Sequence, residues 1–444
     1  MSKKWIPELD GLRVLMILMV SWYHIWQQSW LTPMVGNVSL DYLMRSGYVW
    51  VDGTVLLSAF LLYRPYARVR LSGGKMPEIP AFYARRIRRI LPGYYTILLL
   101  TFFGICLPFG LYASPQYLVK DLATHLTFLF PFFRDTYLAT PLGAACWTLA
   151  IEVQAYLLFP WMARASLKRP ALTFGSMLAV CLGFRAWCIW SLSDFNMVVN
   201  QLVNFLDVYV IGCMLAAAYE YLADRREQKG RIFRGSGWAA TAIFLLAFAG
   251  LLAMLRIQAA SSVYNRQWGI AGWIGSQLHM AEPGSNYPVI QRNQMIYRPV
   301  YAALFGCMIL SAPFSLKPLR KLLGNRLTGF LAGISMNYYL AHQTVIVHMR
   351  RVGFPASEYE YPNQAGDRPW QLRYTLLAFG LSLLAAVIIT YAAEKPIQRW
   401  IDRKKSPGRG IEPRGSAQEK SRPGVDPADP HIPPEGEALK GEET

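Results

Sequence analysis

Residues 238–255 read WAATAIFLLAFAGLLAML and contain no charged side chain. In a helix, an apolar run of this length is enough to cross the hydrocarbon core of a bilayer. Comparable runs recur along the chain, and they are continuous rather than alternating in polarity, which favours membrane helices over a β-barrel. The pattern therefore predicts an all-α fold, a polytopic membrane helical bundle.

Ten transmembrane helices can be placed along the 444 residues. They run approximately over 12–31, 47–63, 90–112, 142–162, 171–192, 199–221, 238–256, 298–314, 327–348 and 373–393. The composition agrees, because 53% of the residues are hydrophobic and only 16% are charged, against roughly 25% charged in an average soluble domain. An ordinary soluble enzyme, a disulfide scaffold and a disordered protein are excluded.

Basic side chains are unevenly divided between the two ends of the predicted bundle. The connecting segments on the side of the N-terminus hold 23 Lys and Arg, and the longer segments on the opposite side hold 11. Cytoplasmic loops carry such an excess in membrane proteins, so both termini are predicted to be cytoplasmic. Because much of the formal net charge of +18 lies in these loops, no nucleic-acid partner is expected.

The chain divides into two predicted parts. Residues 1–400 form the membrane domain, and residues 401–444 form a polar cytoplasmic tail that is expected to be disordered. From 404 onward there is no aromatic residue and 13 residues are Pro or Gly, a composition that buries too little apolar surface to order itself. The six cysteines lie in or beside apolar stretches without metal-ligand spacing, so no metal is expected.

Four ionisable side chains lie inside the predicted spans, where charge is costly to bury. They are His24, Asp52, Glu152 and His342. A neutral histidine takes a proton from a hydroxyl nucleophile, and a nearby carboxylate fixes its tautomer and stabilises the imidazolium. His24 with Asp52 or Glu152 is therefore a candidate catalytic set. The alternative is that each residue makes an ordinary hydrogen bond between helices.

A second cluster of charge stands at the cytoplasmic mouth of the third predicted span, in residues 83–95, YARRIRRILPGYY. Arg85 and Arg89 are four residues apart and share one helix face, whereas Arg86 and Arg88 lie elsewhere. Guanidinium groups on one face bind phosphates bidentately, as a nucleotide-bearing donor requires. The alternative is a topogenic patch that contacts anionic lipid.

Six motifs occur in an order that resembles the acyltransferase family 3 of integral membrane proteins, which O-acylate carbohydrates and related acceptors. They are ELDGLR (8–13) with ten residues between Arg13 and His24, GYVWVDGTVLLSAFL (47–61), RRIRRILP (85–92), WTLAIEVQAY (147–156), GISMNYYLAH (333–342) and EKP (394–396). Three positions depart from the family pattern. Trp50 and Ala59 replace glycines, and Val153 replaces a second acid. We expect the bulk of Trp50 to narrow the acceptor side.

The resemblance implies a membrane O-acyltransferase whose donor is acyl-coenzyme A, with acetyl-coenzyme A expected, bound from the cytoplasmic side. For such a donor we expect Arg85 and Arg89 to hold the phosphates, with Arg86 and Arg88 as weaker candidates and Arg13 assisting near the cytoplasmic mouth. We expect His24 to be the general base, with Asp52 or Glu152 to orient it, and Tyr156 and His342 to bind the acceptor. The implied protein is a multi-pass protein of the plasma membrane, whose partners are the lipid bilayer and a carbohydrate or glycolipid acceptor.

Alternatives stay open at the level of sequence. A non-catalytic transporter or flippase of a polar lipid or sugar would use the same charges to line a pathway. Among enzymes, transfer of a larger acyl group such as succinyl is a related possibility. Direct transfer and a covalent acyl-enzyme on a hydroxyl or on His24 are both compatible with these residues.

Overall fold

A computed structural model describes residues 5–143, 146–228, 236–263 and 287–405 of the chain. Over these residues the regular structure consists of helices and one short antiparallel ribbon, in which β1 (Met34–Val35) pairs with β2 (Val38–Ser39), with loops between them. The predicted all-α class is therefore confirmed. The predicted tail after 405 and most of the long loop before the eighth predicted span lie outside the described residues.

The helices of the first half of the chain are α1 (Glu8–Ser29), α2 (Asp41–Arg45), α3 (Trp50–Ser72), α4 (Ile79–Thr101), α5 (Pro115–Leu126), α6 (Arg134–Leu138), α7 (Trp147–Lys168) and α8 (Pro170–Ser191). Those of the second half are α9 (Leu206–Gln228), α10 (Ser236–Val263), α11 (Tyr287–Ser311), α12 (Lys317–Leu323), α13 (Arg326–Arg351), α14 (Arg368–Ile388) and α15 (Lys395–Lys405). Four short 3₁₀ turns lie at Gly47–Val49, Phe130–Phe132, Leu202–Phe205 and Ala312–Phe314, and two π-helical turns at Phe102–Cys106 and Ile389–Glu394.

Each of the ten predicted spans overlaps a long helix, but only part of the set is apolar enough to be recognised as membrane-crossing. Within the described residues, six helical segments have the length and apolarity to cross a membrane, and they correspond to α4, α8, α9, α10, α11 and α14. The other four long helices are α1, α3, α7 and α13. These four carry His24, Asp52, Glu152 and His342. The count of ten transmembrane helices and the cytoplasmic termini stay predictions.

The bundle has a buried centre and an apolar outer surface. Helix α1 packs against α3 and α13, α3 packs against α9, and α13 packs against α14. In α8 only 17% of the most apolar stretch of 18 residues is buried. Trp190 of α8 and Leu246 of α10 are largely exposed. An exposed apolar surface of this extent is the surface that a lipid bilayer covers.

Two departures from the family pattern have a packing explanation in the structure. At the α3–α9 contact, a Cβ on Gly212 would lie 2.7 Å from the Cβ of Ala59, so α9 supplies the glycine that allows this close approach. Small residues at such contacts let membrane helices approach closely. Trp50 is 1% exposed, and its ring packs edge-on against Phe305 at 5.4 Å between centroids.

Two helices begin eleven residues earlier than their predicted spans. Helix α4 begins at Ile79, eleven residues before 90, with Pro80 in its first turn. Proline is tolerated there because the first helical N–H groups have no intrahelical partner. The arginines 85–89 therefore lie on a continuous helix and not in a loop. Helix α11 likewise begins at Tyr287 and not at 298.

Candidate active site

A cavity of about 670 Å³ is enclosed by α1, α3, α4 and α13 at the end of the bundle where α1 begins. Its volume lies within the roughly 300–1,000 Å³ of small-molecule sites. One carboxylate, Asp10, faces six guanidinium groups in its lining, those of Arg13, Arg64, Arg68, Arg85, Arg86 and Arg89. The cavity is therefore built for an anion.

The six arginines of this lining differ in what neutralises them. Arg64 and Arg68 form ion pairs of 2.6 and 2.8 Å with the two carboxylate oxygens of Glu220. Among the described residues, Arg13, Arg85 and Arg89 make no hydrogen bond or ion pair. Arg13 interacts electrostatically with Asp10 and Glu152 without a direct ion pair, whereas the guanidinium groups of Arg85 and Arg89 are available to phosphate oxygens, for which their planar donors have the right geometry.

Arg86 stands between the cavity and an aromatic wall. Its guanidinium carbon lies 5.6 Å from the ring centroids of both Phe82 and Tyr156, and its Nε is buried without a hydrogen-bond partner in the described part of the chain. Stacking against aromatic faces holds the group in place while leaving its N–H donors unused.

A smaller cavity of about 130 Å³ adjoins the first and extends into the centre of the bundle. The two cavities share Arg13, Arg86 and Arg89 in their linings. In the inner cavity the Tyr156 hydroxyl donates a hydrogen bond of 2.7 Å to Glu152 Oε2. Glu152 and Tyr156 thus lie next to the arginines that the sequence assigned to the donor.

His24 lies on the same face of α1 as Arg13. The two positions are eleven residues apart, which corresponds to three turns and about 16 Å along the helix axis. The His24 Nδ1 is 2.9 Å from Gln27 Oε1, and the Gln27 amide nitrogen donates to the Tyr23 hydroxyl. Because Gln27 presents an oxygen, Nδ1 carries the proton and Nε2 is left as an acceptor.

His342 approaches His24 from α13, with 5.3 Å between the two ring centroids. It is fully buried, and its Nδ1 bonds the Tyr339 carbonyl oxygen. Tyr339 itself lines the inner cavity, and its ring centroid is 5.4 Å from that of His342. His342 therefore packs against a residue of the inner cavity lining, although neither histidine lines that cavity itself.

Neither candidate carboxylate contacts His24 in the described part of the chain. Asp52 Oδ1 lies 3.3 Å from Arg298 Nε, both side chains being fully buried, and Glu152 accepts from Tyr156. In the described structure neither of them orients His24 by direct contact. The physical reason is that a buried guanidinium must be neutralised, and Arg298 of α11 takes up the Asp52 charge.

The Asp52–Arg298 pair belongs to a larger buried network that the sequence analysis missed. Arg185 of α8 forms an ion pair of 2.7 Å with Asp207 of α9 and also bonds Asn204. Arg185 and Asp207 lie inside predicted spans, so the rule that singled out Asp52 would also have found them. The network balances two guanidinium groups with two carboxylates, and none of the four lines either cavity.

The chain matches the family model described as an acyltransferase domain over residues 6–393. It is 26% identical over 172 residues to the peptidoglycan O-acetyltransferase OatA of Listeria monocytogenes, a stretch that covers 36% of this chain and 24% of that protein. It is 24% identical over 249 residues to the O-acetyltransferase OatA of Staphylococcus aureus, covering 52% of this chain and 38% of that protein. The chain thus matches less than half the length of these relatives. No solved structure matches it.

Proposed function

The chain belongs to this acyltransferase domain family, and we propose that it is a membrane O-acyltransferase that moves an acyl group, acetyl first of all, from acyl-coenzyme A to a hydroxyl of a carbohydrate, glycolipid or cell-envelope glycan. The names of its partial relatives, both O-acetyltransferases and one of them a peptidoglycan enzyme, support the choice of acetyl and of a glycan. The observation that carries the proposal is the arginine-lined cavity that continues into the inner cavity, where Tyr339 in the lining packs against His342, the neighbour of His24.

The donor occupies the larger cavity in this proposal. Arg85 and Arg89, which are exposed to the cavity, and Arg86 hold its phosphates by charge-assisted hydrogen bonds. Arg13 stands where the two cavities meet, so it guides the acyl arm inward. The excess of basic residues at this end of the bundle supports entry of the donor from the cytoplasm.

The acyl arm extends along α1 toward His24. The distance of about 16 Å between Arg13 and His24 is the length that the arm spans, with Glu152 and Tyr156 beside it. In this arrangement Glu152 and Tyr156 position the arm, and Asp52 holds α3 to α11 through Arg298.

His24 is the general base of the transfer step. Its Nε2 takes the proton of the acceptor hydroxyl while the hydroxyl oxygen forms a bond to the thioester carbonyl carbon. The carbon–sulfur bond then breaks, and the departing thiolate takes the proton from the imidazolium. If an acyl-enzyme forms first, the same proton movements occur in each of its two steps. The acceptor reaches His24 from the side of the bundle opposite the arginines, at the outer face of the plasma membrane.

The proposal is tested with purified protein in nanodiscs, given acetyl-coenzyme A and a panel of glycans and glycolipids. Release of free thiol and labelling of the acceptor are measured together. We expect His24→Ala to lower transfer by roughly 10²–10⁴-fold, with an unchanged melting temperature. A Gln28→Ala variant, on the same helix four residues beyond, is the control for substitution itself.

Near-normal transfer by a folded His24→Ala protein would contradict the role of His24. Absence of thiol release with acetyl and longer acyl donors would contradict the enzyme itself. Movement of an unmodified lipid or sugar across the bilayer without thiol release would instead identify a transporter.

A further inference from the structure

His24 and His342 form a pair of imidazoles that have no carboxylate partner among the described residues. Their ring centroids are 5.3 Å apart with an angle of 46° between the ring planes, and no hydrogen bond joins the two rings in the described structure. Both carboxylates that could serve His24 are engaged elsewhere, Asp52 with Arg298 and Glu152 with Tyr156. His24 contacts Gln27 and Tyr23 on its own helix, and His342 approaches it from another helix.

The hydrogen bonds of the pair fix the tautomer of each ring. A backbone carbonyl only accepts, so the bond from His342 Nδ1 to the Tyr339 carbonyl requires a proton on Nδ1. His24 Nδ1 is held in the same way by Gln27 Oε1. Each neutral imidazole consequently presents an unprotonated Nε2, and that of His342 is buried without a hydrogen-bond partner in the described structure.

A buried acceptor with no donor needs a reason to be there, because burying it uncompensated destabilises the fold. His125 and His348 also leave one buried ring nitrogen without a hydrogen-bond partner in the described structure, and their rings pack against Phe130 and Phe109. His342 differs from them because its ring lies beside a second imidazole, that of the candidate base His24.

We propose that His342 is the partner of His24 in acyl transfer, its Nε2 interacting with His24 Nε2 while Gln27 Oε1 holds His24 Nδ1. The inference rests on the proposed function and deepens it. His342 acts through His24 and is a positioning residue. It accepts a hydrogen bond from His24 while His24 is protonated, and so stabilises the imidazolium.

The proton balance of the step follows from this arrangement. The acceptor hydroxyl gives its proton to His24 Nε2 as its oxygen bonds to the thioester carbonyl carbon. The proton is then shared between the two Nε2 atoms until the carbon–sulfur bond breaks and the thiolate takes it. Both imidazoles end the cycle neutral, and no other reactant is needed.

The test compares three single variants of the full chain in nanodiscs with acetyl-coenzyme A and the best acceptor of the panel. His342→Leu removes the acceptor atom, and His342→Gln restores one through its amide oxygen. His348→Leu is the matched control, since it changes a histidine on the same helix whose ring packs against Phe109. The melting temperature of each variant and both Michaelis constants are measured with kcat.

We expect His342→Leu to lower kcat about 10²-fold with both Michaelis constants unchanged, His342→Gln to recover part of this loss, and His348→Leu to behave as the unsubstituted chain. An unchanged kcat, or a rise confined to the acceptor KM, would overturn the proposal, because His342 would then only bind the acceptor. If His342→Leu does not fold, His342→Phe, which also lacks the acceptor atom, replaces it, and an unchanged kcat of that variant overturns the proposal. Absence of turnover by the unsubstituted chain is the separate failure of the proposed function, and it overturns the inference as well.

Discussion

The arginines of this protein fall into two groups. Those in the packed interior of the bundle are paired with carboxylates, and several of those around the cavities are not. Arg185 and Arg298 are buried and paired with Asp207 and Asp52. Arg13, Arg85 and Arg89 line a cavity and have no hydrogen bond or ion pair in the described structure. One residue type thus serves the fold in the first region and leaves its charge available to a ligand in the second.

The difference teaches how to interpret charge in a membrane bundle. An ionisable residue in an apolar span marks function by default, yet Asp52, Arg185, Arg298 and Asp207 neutralise one another within the core. A charged side chain that lines a cavity and has no ion-pair partner therefore indicates a ligand site, whereas a buried ion pair indicates a structural role. Arg64 and Arg68 are intermediate, because they line the cavity but are paired with Glu220.

The largest expected effect comes from breaking the interior pair. Asp52→Leu leaves Arg298 buried without a counter-charge, and removing one partner of a buried pair costs about 3–5 kcal/mol. We expect a large fall in the melting temperature of the detergent-purified protein. Asp52→Leu combined with Arg298→Met removes both charges and should recover most of the loss. If the single and double variants are equally stable, the pair does not hold the fold.

A smaller effect on stability is expected when a glycine at a packed helix contact is changed to alanine, compared with a glycine in the cavity lining. A Cβ on Gly212 would lie 3.0 Å from the Leu56 carbonyl oxygen, whereas a Cβ on Gly333, in the cavity lining, meets nothing within 4 Å. Gly212→Ala should therefore destabilise the protein by about 1–3 kcal/mol. Gly333→Ala should be neutral or stabilise it by up to about 1 kcal/mol through its helix propensity. Equal melting temperatures for the two variants would contradict the packing described at α3–α9.

The smallest effect is expected on donor binding, when Arg64 and Arg68 lose their counter-charge. Glu220→Gln removes the carboxylate that neutralises Arg64 and Arg68, so two further guanidinium groups become available to the donor. We expect a donor KM lowered several-fold, with kcat unchanged. A raised donor KM would show that the ion pairs shape the cavity and that neutralisation is not what limits binding.

The sequence was a good guide to the fold because hydrophobic runs report the membrane-embedded part of each helix. It was a poor guide to helix ends. Helix α4 continues eleven residues beyond its apolar run into the arginines of 85–89, since polar residues outside the hydrocarbon core are as compatible with a helix as apolar ones. Hydropathy also fails to identify α1, α3, α7 and α13 as membrane-crossing helices, because they carry polar side chains toward the centre of the bundle.

The site was only partly predictable. Arg13, Arg85, Arg86 and Arg89 were singled out from sequence, and the structure brings all four to one cavity. The partner of His24 was not predictable, because pairing depends on how distant helices pack. Asp52 meets Arg298 across 246 positions of the chain, and His24 meets His342 across 318.

The central claim is that unneutralised cavity arginines bind the phosphates of an acyl-coenzyme A donor. The direct test is the equilibrium affinity of purified protein for coenzyme A, with an Arg85→Ala/Arg89→Ala variant. An Arg134→Ala/Arg373→Ala variant removes two arginines outside the cavity lining and is the control for net charge. We predict an affinity lower by about 10²-fold or more in the cavity variant, with an unchanged melting temperature and a normal control. Equal affinities of the cavity variant and the unsubstituted chain would contradict the claim.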